Sequence, residues 1–336
     1  GLSTLLTIMI GGLHHIANPD KTNLATIVEF VMYVNMLTFP VSAIGLTASM
    51  IQRAAASQKR INEFLDTIPS VQNAENAVLH PLQGDINFIN VNFTYPHTGI
   101  HALKDFTLRI KKGEKVAIVG RTGSGKSTVA QLLLRMYDVA EGKIELDNIN
   151  IQQIDLKRLR EQISYVPQDV FLFSETVENN IGFGLGGASR AAVERAAKQA
   201  SVEKEIAAFS HQYETMIGER GVTLSGGQKQ RISIARALIK NPDLVIFDDC
   251  LSAVDARTEN EIIGNLNEYL QDKTAIIITH RIFSLFSFDK IVVLEEGAIV
   301  EQGTHPELLA RNGSYAALYA RQQEQESGQS DRDADD

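Results

Sequence analysis

The octapeptide Gly120-Arg121-Thr122-Gly123-Ser124-Gly125-Lys126-Ser127 follows directly on the apolar run Lys115-Val116-Ala117-Ile118-Val119. Few folds accept that succession. A buried strand must feed a loop whose glycines let the backbone wrap closely round phosphates, and the next helix must aim its N-terminus at them. Lys126 adds a point charge between the β- and γ-phosphates, Ser127 offers a hydroxyl to Mg2+, and Thr128 stands just behind them. By itself this loop implies a bound nucleoside triphosphate and nothing more specific. Around it, helices are predicted at 126–136, 189–200, 226–240 and 258–271, with buried strands at 243–248 and 274–279. That alternation predicts an α/β core with a largely parallel sheet. Ahead of the loop, the stretch from Ile86 to Phe93 alternates at period two and predicts a strand.

Two further features specify the site. Asp248 ends the apolar run Leu244-Val245-Ile246-Phe247, at the carboxyl edge of a buried strand where ligands of open α/β sheets gather. Its carboxylate suits Mg2+ held through water. Leu224-Ser225-Gly226-Gly227-Gln228 opens a helix that runs through Arg231 and Ala235-Arg236-Ala237-Leu238. A hydroxyl and exposed amides at a positive helix end make an anion site as well as an ordinary N-cap. Taken with the phosphate loop and Asp248, this pentapeptide resembles the signature of ATP-binding cassette (ABC) proteins, and residues 85 to 320 fit their nucleotide-binding domain. The resemblance implies an α/β P-loop NTPase fold, with an antiparallel β subdomain and a helical subdomain beside the largely parallel sheet. It implies ATP and Mg2+ as ligands, the metal near Ser127, Gln168 and Asp248. It also implies that Ser225, Gly226, Gly227 and Gln228 face the γ-phosphate held by another subunit, so that two domains sandwich two ATP molecules.

Other positions match the family one by one. Gln168, in Tyr165-Val166-Pro167-Gln168-Asp169, resembles the glutamine that reports γ-phosphate and Mg2+ to the membrane domain. His280, after Thr279 and before Arg281, resembles the switch histidine on the γ-phosphate. Tyr95 lies 25 residues before Gly120 and is placed to stack on adenine, although a core or rim role is also open. Ser252-Ala253-Val254-Asp255 resembles the loop that couples the two sites, and Gly218-Glu219-Arg220-Gly221 the exporter segment that touches the membrane domain. One position departs: where the family carries Glu after the metal-binding Asp, this chain has Asp249. Losing a methylene withdraws the carboxylate by roughly 1.5 Å, and a misplacement of that order lowers a rate about 100-fold. The site is therefore expected to bind ATP well and hydrolyse it poorly. The resemblance favours the degenerate-site half of a heterodimeric exporter of drug, lipid or peptide; a slow homodimer, a soluble ABC ATPase and a regulatory subunit are the alternatives.

The remaining chain suggests a membrane. Leu2 to Ile10 is apolar, lacks the basic flank of a signal peptide, and is read as the end of a membrane helix whose beginning lies upstream. Leu24 to Ile51 forms a second apolar segment, long enough as a helix to cross a bilayer. Asn35 falls near mid-membrane, where it lines a cavity or joins another helix, and Pro40 is expected to kink the segment. Arg53, Lys59 and Arg60 follow, which places that end in the cytosol. The expected organisation is membrane helices in 1–51, a cytosolic helical extension and linker in 52–84, the nucleotide-binding domain in 85–320, and a disordered acidic tail in 321–336. The protein is thus expected in the plasma (inner) membrane as a multi-pass subunit with a cytoplasmic ATPase domain. The net charge of −9 argues against a nucleic-acid partner. The single cysteine, Cys250, excludes an internal disulfide and is expected to be a packed thiol.

Overall fold

Helix α1 (Leu2–Ala17) ends where Asn18-Pro19 follows, since proline disfavours helical backbone in the residue before it and cannot donate to the ladder. At 16 residues it falls short of the about 20 needed to span a bilayer. Helix α2 (Leu24–Leu65) starts at Asn23, whose side chain accepts from the Ala25 N–H, and runs unbroken for 42 residues through Pro40. Two membrane helices are expected from the sequence; among the described residues only α2 is long and apolar enough to cross. The structure, a computed structural model, describes residues 1–20, 23–218, 221, 224–251, 256–280 and 287–333, and of 256–257 and 325–333 the backbone alone. The chain forms two compact units, Gly1–Pro69 and Ser70–Asp336.

The second unit opens with the hairpin β1 (Ile86–Thr94) and β2 (His101–Ile110), then β3 (Lys115–Val119) and α3 (Lys126–Leu133). Strands β4 (Glu141–Leu146) and β5 (Ile149–Asn150) follow, then α4 (Leu156–Gln162) and β6 (Ile163–Val166). A helical stretch comes next: α5 (Val177–Gly182), α6 (Arg190–Gln199), α7 (Glu203–Ala208) and α8 (Gly226–Leu238). The chain closes with β7 (Leu244–Asp248), α9 (Ala256–Tyr269), β8 (Thr274–Thr279), β9 (Lys290–Glu295), β10 (Ala298–Gly303), α10 (His305–Arg311) and α11 (Ser314–Asp333).

Two sheets result among the described residues. The larger has the order β10-β9-β3-β8-β7-β6 and is parallel except for β10, which returns antiparallel on β9. Its central strands β7 and β8 are buried at every position, as a sheet covered on both faces requires. The smaller sheet, β2-β1-β4-β5, is antiparallel. The period-two alternation of β1 does not persist. Ile86 and Phe88 are buried, Asn90 takes a left-handed φ of 48°, and the phase then switches to bury Val91 and Phe93. The register shift at that point marks a β-bulge. Between the sheets lies a core that includes Phe88, Phe106, Ile118, Leu132 and Ile246. A second core, with Val193, Ile232, Ile234 and Phe247, joins the helical stretch to the larger sheet.

Three expectations need correction. Helix α3 stops at Leu133 rather than residue 136, because Arg135 adopts a left-handed φ of 49°. Residues 70–84 are not a free linker: Leu82 is buried, and Gln72, Asn73, His80, Leu82 and Gly84 all bond to the domain. The expected disordered tail, 321–336, continues the backbone of α11 as helix to Asp333, the helix being anchored in the core by Tyr315, while 334–336 lie outside the described residues.

Candidate nucleotide site

The phosphate loop closes against its neighbours so tightly that two glycines are obligatory. An added Cβ at Gly120 would meet Leu294 O, and one at Gly125, where φ is +99°, would meet Ala102 O. Within the loop, Lys126 Nζ donates to Gly120 O and Arg121 O, each at 2.8 Å. Burial pushes the Lys126 ammonium below its ordinary pKa, while the charges of Asp249 and Asp248 pull it back up. Ser124 Oγ is buried with no hydrogen-bond partner among the described residues. An orphaned hydroxyl within this loop is a fitting donor for an anion.

Beside the loop, β7 delivers Asp248, which is 2 % exposed. Ser127 Oγ donates to Asp248 Oδ1 at 3.0 Å, and the Tyr165 hydroxyl donates to Oδ2 at 3.1 Å. Burial raises the Asp248 carboxyl pKa, and those two hydrogen bonds oppose the rise. A hydroxyl and a carboxylate side by side are the hard oxygen donors that Mg2+ prefers. Tyr165, on β6, is a site residue that the sequence does not single out; burial and the Asp248 charge push its phenol well above the ordinary range. Its only signal is proximity to Gln168.

Asp249 occupies the turn after β7 with a left-handed φ of 46°, its N–H donating to Ile278 O at 2.8 Å. That turn swings the carboxylate toward His280, whose Nδ1 lies 2.9 Å from Oδ1 and 3.1 Å from Oδ2. An ionised carboxylate only accepts, so Nδ1 carries the proton in this pair. Gln168 Nε2 approaches Asp249 Oδ2 at 3.5 Å, the long limit of a hydrogen bond. One cavity of about 500 Å³ is lined by Tyr95, Thr122, Gly123, Gly125 to Thr128, Gln168, Asp248, Asp249 and His280. His101, Lys104 and Glu296 also line it, and nothing in the sequence marks them.

The signature stands elsewhere. Ser225 and Gly226 are exposed, and none of Ser225 to Gln228 lines that cavity. Ser225 caps α8: its hydroxyl accepts from the Gln228 N–H at 3.2 Å, and the Gln228 side chain accepts from the Ser225 N–H at 3.0 Å. Behind the cap, buried Arg231 pairs with Glu205 at 2.8 Å and bonds Ser201 O. Arg236 donates to Phe171 O, Asn180 O and Asn180 Oδ1, each at 2.8 Å, bracing the segment after Gln168. Burial alone brings the Arg236 pKa down to about 10. Ser252 to Asp255, Glu219, Arg220 and Arg281 lie outside the described residues.

Strand, phosphate loop, helix and a strand-end Asp beside a hydroxyl define a nucleoside triphosphate-binding domain. A family profile described as ABC transporter matches residues 103–252. A probable multidrug resistance ABC transporter ATP-binding/permease protein of Bacillus subtilis (strain 168) is 46 % identical over 304 residues, 90 % of this chain and 52 % of that protein. An ATP-dependent lipid A-core flippase of Methylobacillus flagellatus is 40 % identical over 298 residues, 88 % of this chain and 51 % of that protein. Among solved structures, a bacterial Atm1-family ABC exporter with ATP bound matches with a TM-score of 0.79 and 37 % identity, covering 95 % of this chain and 56 % of that one. The chain belongs to the ABC transporter family and carries its nucleotide-binding domain. It spans about half the length of the curated relatives it matches.

Proposed function

We propose that this chain is part of an ABC exporter half-transporter, in which ATP binding and hydrolysis between paired cassettes drive efflux of a hydrophobic or amphipathic molecule. The observation that carries this reading is the meeting of Lys126, Ser127, Gln168, Asp248, Asp249 and His280 at one cavity while the signature stands outside it. A signature that stays off its own chain's cavity supports a contact with a second cassette, beside its capping of α8. In this reading Gly120 to Thr128 hold the triphosphate, Tyr95 carries the adenine, and Ser127, Gln168 and Asp248 hold Mg2+. The ion supplies neutralisation of the charge that grows on the phosphates. Asp249 orients the attacking water, and His280 and Gln168 sense the γ-phosphate.

Helix α2 supports a membrane setting, because Phe30, Met36, Phe39 and Ile44 are all exposed on it. Arg53, Lys59 and Arg60 support a cytoplasmic ATPase domain by the positive-inside rule, in an inner or plasma membrane. Relatives named for multidrug resistance and for lipid A-core flipping support a drug or a lipid as cargo.

The partner is a second half-transporter, and Asp249 favours a heterodimer in which this chain's own phosphate loop forms the slow site. Its carboxylate rests against His280, one methylene short of the family's usual reach. Asp249→Glu in the full-length protein, assembled with a candidate partner whose own competent site has been silenced, should raise ATP turnover at this chain's site on the order of 100-fold. No change in the assembled transporter removes the degenerate-site reading. Full wild-type turnover without a partner establishes a homodimer instead.

A further inference from the structure

The cavity wall away from the phosphate loop holds a second built feature. Tyr95 lies at the end of the β1–β2 hairpin, its N–H donating to Ile100 O and its C=O accepting from the Gly99 N–H, both at 2.9 Å. Its side chain leaves the hairpin and ends on α3. There the phenol donates to Gln131 Oε1 at 2.8 Å and lies 2.9 Å from Thr128 Oγ1. A phenol has one proton to give. With that proton on Gln131, the Thr128 hydroxyl is the donor in the second bond, and the relay runs one way from Thr128 through Tyr95 to Gln131. Each link polarises the next.

Aromatic neighbours pack against the ring. Phe93 meets it at 5.0 Å and 79°, and Tyr137 at 5.4 Å and 90°, both edge-to-face contacts. Neither covers the ring in the parallel manner that a planar base would use. The anchor also has a definite relation to the phosphates. Gln131 sits five residues after Lys126 on α3, a rise of roughly 7.5 Å along one rigid helix. A ring tethered there keeps a set distance from the loop that holds the triphosphate.

We propose that Gln131 is a positioning residue for the nucleobase: it pins the Tyr95 hydroxyl to the phosphate-loop helix, so that the ring is a preformed platform for adenine. This rests on the ATP-binding reading above. Ordering a free tyrosine during binding weakens affinity, and the loss expected on removing the tether is about fivefold.

The test is equilibrium binding of MgATP and of magnesium tripolyphosphate, which has no base, to the full-length protein. Gln131→Met keeps the length of the side chain and removes the acceptor. Tyr95→Phe removes the donor and keeps the ring. Gln131→Met should bind MgATP about fivefold more weakly, Tyr95→Phe at least as weakly because it also gives up the Thr128 bond, and the double variant should match Tyr95→Phe, in which the Gln131 bond is already lost. Tripolyphosphate affinity of Gln131→Met should equal that of the wild type. Wild-type ATP affinity in Gln131→Met overturns the proposal. So does a parallel loss of tripolyphosphate, which assigns Gln131 to the integrity of the loop or fold, and so does additivity in the double variant. A wild-type protein that binds tripolyphosphate no worse than ATP refutes the Tyr95 platform itself, and one that binds neither refutes the nucleotide reading beneath it.

Discussion

At Asp248 the carboxyl is taken out of water, and its pKa rises because burial outweighs the hydroxyls of Ser127 and Tyr165. The folded protein therefore keeps this proton to a higher pH than the unfolded chain does. Between the ordinary carboxylate value and the raised one, the folded state binds more protons, so stability falls as pH rises through that window. Asp248→Asn keeps the shape and removes the charge. In the presence of a chelator it should raise the chemical denaturation midpoint at neutral pH and flatten the slope across the window, while Mg2+-dependent nucleotide binding weakens. A variant less stable than wild type near neutrality contradicts this account. Asp248 itself was legible, because an apolar strand ending in Asp beside a phosphate loop has a simple chemical meaning. Tyr165 was not, because its hydroxyl reaches Asp248 only through the pairing of β6 with β7.

Helices and buried strands of the second unit follow their periodicity closely, and the errors fall on segments held by contacts with no period. Residues 70–84 look patternless because their partners lie far along the chain. Arg135 Nη2 donates to Gln72 O, Asn73 bonds Asp155, Gln162 reaches both His80 O and the Leu82 N–H, and the Thr274 hydroxyl donates to Gly84 O. Only 63 to 190 residues of folding bring these groups together. Arg135 is the centre of this strap: 3 % exposed, it pairs with Asp138 at 2.8 Å while it holds Gln72. Arg135→Met retains the aliphatic stem but leaves Asp138 and a carbonyl without their donor. Because Asp138 is partly exposed, the expected loss is about 1–3 kcal/mol, below that of a fully buried pair. Limited proteolysis should then cut within 70–84 before it cuts the core. Unchanged stability and an unchanged cleavage pattern would show that the strap is held by the other contacts alone.

For the whole molecule, the decisive residue lies outside its own chain's cavity. Ser225 performs a local task, the capping of α8, and the proposed function gives it a distant one, contact with the triphosphate of a second cassette. The two can be separated. Ser225→Asp retains an excellent N-cap, and a negative charge at a helix N-terminus is itself stabilising. The fold and MgATP binding at this chain's phosphate loop should therefore survive. In the proposed dimer the same charge would face the partner's γ-phosphate. At roughly 6 Å and an effective dielectric near 20, like charges repel by about 3 kcal/mol, on the order of 100-fold in an equilibrium. The assembled transporter should lose ATP turnover by that order, and cross-linking should no longer capture an ATP-trapped pair. Ser225→Thr, which also caps but adds no charge, should keep both. If Ser225→Asp trapped the pair and turned over like wild type, the signature would not grip the partner's nucleotide, and α8 would serve this chain only as a capped structural helix.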